Sequence, residues 1–364
     1  MTGSITRRQS LAGIGAGALA GATGLPRRAQ AAGKPVKLAY GVAVVDPSTA
    51  PWLSAAHTGG FWQDAGLDVQ VTGFNGAGPA LQLLASGQVD AVFTGTPDAM
   101  RMVEAGIPIR TVANAYDHNH NYPAVLADSP IMTIEEFRGK RMGLQTMTGS
   151  IYLWEKVLLE SHHMTFSDLA EVIPVGTGAT AVHAITSKQI DILGEWHGHY
   201  ALLEVVFGLK LRRFDQDPAL AKYSFVQAFF VRDEMIQKEP DTVTGLLRGI
   251  AQGIRFAMEK PEAAVRGHFQ QFPSSRPTGI PLDTAIAQAA KVVSLNVELS
   301  AKTTLARKWG GASPESIENV CDALNAAGIL NKKLPWKDYF TSQFVTVMND
   351  YDANAVVQKA KAAG

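Results

Sequence analysis

The sequence has almost no cysteine, no excess of either charge sign and no long, strongly apolar run. Cys321 is the only cysteine in 364 residues, which excludes an intramolecular disulfide and a cysteine-ligated zinc or iron–sulfur centre. Lys and Arg number 33, as do Asp and Glu, so the basic excess typical of a nucleic-acid-binding protein is missing. Hydrophobic residues make up 46% of the chain, which excludes wholesale disorder. The length indicates about two or three domains or lobes.

The zero net charge conceals an uneven distribution. Residues 1–31 carry four Arg and no acid, whereas the other 333 residues carry 29 basic and 33 acidic side chains. Arg7-Arg8 precedes the Ala- and Gly-rich stretch Leu11–Leu25, which is too short to span a bilayer, and Ala29-Gln30-Ala31 follows as a small-x-small site. This order predicts a signal peptide over 1–31.

The arginine pair of this leader is similar to the start of a twin-arginine export signal. The residues after the pair depart from that motif, so general secretion stays an alternative. No Cys follows the expected cleavage site, so no lipoprotein anchor is expected. We therefore expect an exported, periplasmic and soluble protein with a net charge of −4 after cleavage.

Predicted strands and helices alternate from Lys37 onward, which indicates α/β architecture with parallel sheets. Residues 80–92 (ALQLLASGQVDAV) are similar to residues 181–193 (AVHAITSKQIDIL), and the repeat aligns Asp90 with Asp191 at an offset of 101 residues. The repeat predicts two similar lobes. The predicted boundaries are 32–124 for the first part of lobe 1, 125–226 for lobe 2, and 227–364 for the return to lobe 1 with a helical C-terminal tail.

Two β-rich segments are expected to connect the lobes as paired crossover strands, namely Asn121–Asp128 and Tyr223–Arg232. After Asp233 the pattern becomes helical, and these helices are expected to pack mostly around the first lobe.

Four blocks of sequence resemble a known family. Phe61–Val69 ends in Gly-Leu-Asp-Val, and Ala85–Asp90 is followed by Thr94–Pro97. Ile134–Gly143 opens the second half, and Phe229–Glu239 begins the return to the first. Together these blocks resemble the solute-binding proteins of nitrate/sulfonate/taurine-type ABC importers, a family that also includes thiamine-pyrimidine precursor binders and synthases. The resemblance covers about residues 36–270.

The resemblance implies a two-lobed α/β fold of the periplasmic-binding-protein type II class, with two mixed sheets, flanking helices and two crossover strands. We expect a monomeric, non-enzymatic protein that needs no cofactor, and the missing basic excess argues against nucleic acid as a partner. Such a protein captures a small organic solute between its lobes and delivers it to a permease and ATPase complex at the inner membrane.

Ligands of open α/β sheets lie beyond the carboxyl ends of the strands, near helix N-termini. Five segments have such positions: Asp46–Thr49, Asn75–Pro79, Thr94–Asp98, Thr146–Ser150 and Glu195–His199. From these segments, from Trp52 just after the first of them and from the turn before the first crossover we predict the following ligand-binding residues: Asp46, Ser48, Trp52, Asn75, Gly76, Thr96, Asp98, His120, Thr148, Ser150, Glu195, Trp196, His197 and His199. Helix capping is the alternative role for the Ser and Thr residues among them.

None of the five segments contains Lys or Arg. They offer carboxylates at Asp46, Asp98 and Glu195. Trp196, together with Trp52 just after the first segment, offers flat apolar walls. This favours an organic ligand with N–H groups, an amine or a nitrogen heterocycle, over a bare anion, although a sulfonate- or taurine-like ligand stays open. The carboxylates have an alternative role as helix caps or ion-pair partners.

Histidines provide the alternative functions. The pairs in His118–His120 and His197–His199, with Asp117 and Glu195 nearby, have ligand types suited to zinc, nickel or copper. A pyrimidine-synthase-like enzyme using these histidines is the other alternative. The sequence contains no Ser-His-Asp elbow, P-loop or HExxH motif, and Cys321 falls in a helical pattern as a core residue.

Overall fold

The computed structural model describes residues 33–48 and 50–363. The predicted signal peptide over 1–31 lies outside the described residues and stays a prediction. Throughout the described part of the chain, every helix is too short or too polar to span a bilayer.

Ten strands of the described chain form two five-stranded sheets with the orders β2-β1-β3-β10-β4 and β7-β6-β8-β5-β9. The strands are β1 Lys34–Tyr40, β2 Leu67–Gly73, β3 Ala91–Gly95, β4 Ile109–Asn114, β5 Asn121–Leu126, β6 Arg141–Leu144, β7 Glu171–Pro174, β8 Ile192–Trp196, β9 Leu211–Arg213 and β10 Gln227–Arg232.

Helices flank both sheets and make up most of the C-terminal third. They are α1 Pro51–Thr58, α2 Phe61–Asp64, α3 Ala77–Ala85, α4 Thr96–Glu104, α5 Ser150–Ser161, α6 Ala179–Thr186, α7 His197–Phe207, α8 Pro218–Ala221, α9 Asp233–Lys238, α10 Pro240–Glu259, α11 Pro261–Gln271, α12 Leu282–Leu305, α13 Pro314–Ala326, α14 Trp336–Tyr339, α15 Gln343–Met348 and α16 Ala353–Ala362.

Both sheets are mixed and share one topology. In the first sheet β1 pairs in parallel with β2 and β3, and β10 runs antiparallel between β3 and β4. In the second sheet β6 pairs in parallel with β7 and β8, and β5 runs antiparallel between β8 and β9. The predicted fold class, a two-lobed α/β protein with two mixed sheets, is confirmed.

The aligned aspartates of the sequence repeat have the same structural role. Asp90 accepts a hydrogen bond from the backbone N–H of Lys37 at 2.8 Å, and Asp191 accepts one from the N–H of Arg141 at 3.0 Å. The backbone N–H of Asp90 also donates to the Lys37 carbonyl, and that of Asp191 donates to the Arg141 carbonyl. Each therefore ties the segment before β3 or β8 to the neighbouring strand, β1 or β6, and the repeat is confirmed as a structural one.

The two segments predicted as paired crossover strands do not pair with each other. β5 is the antiparallel strand of the second sheet, and β10 is that of the first. The chain instead passes between the sheets through residues 115–120 and 214–226. The lobe boundaries at 124/125 and 226/227 stay predictions, although β5 crosses the first of them.

The C-terminal helices pack more widely than expected. α10 lies against α1 and α2 beside the first sheet, and α15 and α16 cover α10. α12, however, also contacts α7, and α13 contacts α5, both of which belong to the second half of the repeat. Cys321 is buried in α13, as predicted.

Candidate functional site

A cavity of about 270 Å³ lies where the carboxyl ends of parallel strands from both sheets meet. Tyr40 and Gly95 end β1 and β3, Gln145 follows β6, and Trp196 ends β8; all four line the cavity. The strand-end rule therefore locates the cavity correctly. Of the predicted ligand-binding residues, the following line it: Asp46, Asn75, Gly76, His120, Thr148, Ser150, Trp196 and His199.

Glycine turns bring two helix N-termini to the cavity. Gly76 precedes α3 with φ of +98°, and Gly149 precedes α5 with φ of +91°. Side chains rarely adopt this left-handed backbone, so glycine allows each loop to turn directly into its helix. A Cβ at Gly95 would overlap Ser150 Oγ, so the end of β3 and the start of α5 are in close contact at the cavity wall.

Asp46 and Trp196 are held together through Ser48. Asp46 Oδ1 accepts hydrogen bonds from the Ser48 N–H at 2.7 Å and from its hydroxyl at 2.5 Å. The Ser48 carbonyl in turn accepts hydrogen bonds from Trp196 Nε1 at 3.3 Å and from Asn296 Nδ2 at 2.8 Å. Ser48 itself is buried outside the cavity lining, so it positions the two cavity residues.

The two cavity histidines are buried. His120 is 4% exposed, and burial holds its pKa well below the usual range, so the ring is neutral. His199 Nε2 accepts a hydrogen bond from the Gly178 N–H at 2.9 Å, and its Nδ1 lies 3.1 Å from Glu195 Oε2. The bond from Gly178 requires a lone pair on Nε2, which places a proton on Nδ1, facing Glu195. Burial acts to lower the pKa of His199, but the nearby Glu195 and Asp46 carboxylates outweigh it and raise that pKa.

Glu195 lies behind the cavity wall beside a second buried carboxyl group. Glu195 and Glu155 are both almost completely buried, and burial raises the pKa of each. The pKa of Glu155 rises to about 8, with a further contribution from the charge of Glu195. Neither carboxyl group has an aligned hydrogen-bond partner among the described residues.

Four other predicted ligand-binding residues also lie outside the cavity lining. Trp52 is fully buried in the core, edge-on to Tyr116 with ring centroids 5.7 Å apart. Thr96 donates its hydroxyl hydrogen to the Phe225 carbonyl at 2.6 Å and so holds the second crossover. Asp98 is mostly buried in the first turn of α4, and burial raises its pKa.

His197 is the fourth of these residues. Its Nδ1 lies 2.7 Å from the Tyr122 hydroxyl, and burial lowers its pKa to about 4. The other predicted metal-ligand pair is also divided, because half-exposed His118 lies 2.7 Å from Asp117 whereas His120 faces the cavity. Among the described residues, no group of three or more His, Cys, Asp or Glu side chains is arranged to hold a metal ion. The metal hypothesis therefore gains no support.

The family model described as NMT1/THI5 like matches residues 47–264, which contain most of both sheets. The chain belongs to the NMT1/THI5-like family.

Relatives of this NMT1/THI5-like chain include binding proteins. A protein of Brucella abortus (strain 2308), provisionally named a binding protein, is 24% identical over 333 residues, covering 89% of this chain and 95% of the relative. A solved structure from Bordetella bronchiseptica RB50 has a TM-score of 0.64 at 21% identity and covers 88% of this chain and 98% of that one.

Two further solved structures with this fold have different functions. The periplasmic aliphatic sulphonate binding protein SsuA from Escherichia coli has a TM-score of 0.56 at 15% identity, covering 85% of this chain and 92% of SsuA. The desulfurization enzyme DSZB has a TM-score of 0.54 at 16% identity, covering 86% and 98%. At these identities the likeness shows the fold alone, and the predicted resemblance to sulfonate-type binding proteins is confirmed at that level.

Sequence reasoning missed several cavity residues of the NMT1/THI5-like chain. Gln227 begins β10 opposite Gly95, and Asn121 begins β5 opposite Trp196. Because β5 and β10 are antiparallel, their first residues lie at the edge where their parallel neighbours end. The sequence analysis treated both strands as connections, so this signal was not used. The strand-end rule could have predicted Gln145, because this residue directly follows β6.

Proposed function

We propose that this chain is the solute-binding protein of an ABC importer and captures a small organic solute in the cavity. The observation that carries the proposal is the composition of the cavity wall. Strand ends and helix N-termini from both sheets converge on one cavity, so a bound solute contacts both halves of the molecule at once. Membership of the NMT1/THI5-like family and the named binding-protein relative support the same function.

The proposal includes export to the periplasm as a soluble monomer and delivery of the solute to a permease and ATPase complex at the inner membrane. The leader at 1–31 and the resemblance to importer binding proteins support this part. The lining supplies hydroxyl, amide and imidazole groups without a paired nucleophile and base, which favours binding over turnover.

A thermal-shift screen of amines, pyrimidines, amino-sulfonates, sulfonates and aromatic acids tests this function. A true ligand binds once per chain and raises the free energy of unfolding by about 2.7 kcal/mol at 100 times its Kd. Isothermal titration then gives the stoichiometry. Turnover of a compound, with no stabilisation by any class, would contradict the proposal.

A blocked cavity provides the matched control. Val44 lines the cavity and is 57% exposed, so Val44→Trp is expected to fold and to lose ligand binding at least tenfold. Met132 is 59% exposed and lies outside the cavity lining, so Met132→Trp is expected to bind normally. Equal ligand affinity in the two variants would show that the ligand binds outside this cavity.

A further inference from the structure

We infer that Gly198 is a positioning residue of the solute cavity. Because it has no side chain, the start of α7 lies directly on the Ser48 carbonyl, and this contact sets the spacing between two walls of the cavity. The inference rests on the proposed function, because the walls belong to the same cavity. Gly198 itself lies outside the cavity lining, so it acts through its neighbours and not by touching the solute.

The first argument is that the backbone of α7 does not require glycine at this position. Gly198 is the second residue of α7, and its φ lies outside the left-handed region. Any residue adopts such a conformation, and alanine forms helices more readily than glycine does. The reason for a glycine here therefore lies in the space around it.

The second argument is that this space is already filled. A Cβ atom on Gly198 would overlap the carbonyl oxygen of Ser48 and would lie 3.0 Å from Asn296 Nδ2. Non-bonded heavy atoms prefer separations of about 3.5 Å, so an alanine would push α7 back by about 1 Å. Ser48 and Asn296 are both almost completely buried, so neither can turn out into solvent to make room.

The third argument is that the contact joins the two sheets. Ser48 lies between β1 and α1 of the first sheet, whereas α7 follows β8 of the second. The Ser48 carbonyl also accepts the hydrogen bonds from Trp196 Nε1 and from Asn296 Nδ2 in α12, and α12 packs against α7. One carbonyl group therefore holds β8, α7 and α12 together, and the missing side chain of Gly198 allows them to meet there.

Residues next to this contact line the cavity. Trp196 and His199 do so on the α7 side, and Asp46 does so on the other side. The backbone N–H of His197 donates a hydrogen bond at 2.8 Å to the carbonyl of His120, which is another lining residue. Since this bond ties the first turn of α7 to the start of β5, a side chain at position 198 would move a whole wall of the cavity and not α7 alone.

Gly198→Ala tests the inference in the protein without any solute. Spin labels at Phe207→Cys in α7 and Glu298→Cys in α12, both exposed positions, report the separation of the two helices by double electron–electron resonance. Cys321 is buried, and burial raises its pKa, so it reacts little with the label. We expect Gly198→Ala to lengthen the most probable distance by about 1 Å or more. Gly78→Ala, where nothing lies within 4 Å of the added Cβ, is the matched control and is expected to leave the distance unchanged.

Acrylamide quenching of Trp196 fluorescence reports on the cavity wall itself. The Trp196 signal is the difference between each protein and the same protein with Trp196→Phe. We expect stronger quenching in Gly198→Ala, because the indole loses its position on the Ser48 carbonyl and becomes more accessible from the cavity. A loss of stability alone would leave the quenching of the folded protein unchanged, so this measurement separates a positioning role from a purely structural one.

Both measurements must change for the inference to stand. An unchanged label distance in folded Gly198→Ala shows that the helices absorb the methyl group, and unchanged quenching shows that the wall does not depend on the contact; either result overturns the inference. If Gly198→Ala does not fold, Asn296→Leu takes its place, since it removes a donor to the Ser48 carbonyl, and both measurements must again change. Neither measurement uses a solute, so the solute-binding function fails only when the wider screen finds no ligand of any class.

Discussion

Gly253→Val is expected to lower the free energy of unfolding by about 3 kcal/mol or more. Gly253 lies in α10 where this helix crosses α1. A Cβ atom at Gly253 would lie 2.8 Å from the backbone nitrogen of Ala56 and even closer to the carbonyl oxygen of Trp52. Backbone atoms cannot rotate away as a side chain does, so α1 and α10 would have to separate and open the core around Trp52.

The neighbouring glycines show that this contact is part of a longer packing surface. Gly245, Gly249 and Gly253 recur every fourth residue and so lie on one face of α10. A Cβ at Gly249 would overlap the Trp62 indole, whose Nε1 donates a hydrogen bond to the Leu246 carbonyl at 3.0 Å. The absence of side chains along this face allows α1 and α2 to lie directly on the α10 backbone.

Gly78→Ala is the matched control for this prediction. Gly78 is also helical, in α3, but nothing lies within 4 Å of an added Cβ and its φ is outside the left-handed region. Alanine there is expected to be neutral or to stabilise by up to about 1 kcal/mol. Urea denaturation at 25 °C measures both variants. A loss below about 1 kcal/mol for Gly253→Val would show that the two helices adjust without cost.

Apolar periodicity and helix start signals in the sequence predicted the elements whose bounds depend mainly on nearby residues. Alternating apolar residues predict a strand over Leu67–Gly73, and β2 has these bounds. The helical pattern from Pro240 predicts a helix there, and α10 begins at that residue. Helix interruptions were harder. The residue pattern predicts one helix over Trp52–Ala65, which the structure divides at Gly59-Gly60. It also predicts one helix over Thr341–Ala363, which in the structure is interrupted and restarts where Asp352 caps α16. In both segments, tertiary packing decides whether the helix continues through residues of low helix propensity.

The position of the cavity was predictable, but the direction of each side chain was not. Strand ends are fixed by sheet topology, which the repeat revealed, so Asn75, Ser150 and Trp196 were located correctly. Successive helical residues point about 100° apart, and the face that meets the cavity depends on how the helix lies on its sheet. Trp52 and Asp98 follow the same strand-end rule, yet their helices direct them away from the cavity lining.

Glu155→Gln is expected to stabilise the protein at pH 9 and to have little effect near pH 4. Glu155 is 1% exposed, and burial, together with the Glu195 charge, raises its pKa from the ordinary 4.5 to about 8. Between these values the folded state retains a proton that the unfolded chain releases. The resulting stability is complete below about pH 4.5 and is lost as pH rises toward 8, by up to about 1.4 kcal/mol per pH unit.

Glutamine removes this dependence because it stays neutral at every pH. The difference between Glu155→Gln and the unchanged protein should therefore grow from pH 5 to pH 8 and then level off, since above pH 8 the carboxyl group is ionised in both states. Urea denaturation at pH 5, 7 and 9 measures it, with Glu160→Gln on the same helix as the control. A difference that is constant across this range would mean that the Glu155 carboxyl group is already ionised in the fold at pH 5. A neighbouring group would then have to balance the Glu155 charge, and burial beside Glu195 would not keep the Glu155 carboxyl group protonated.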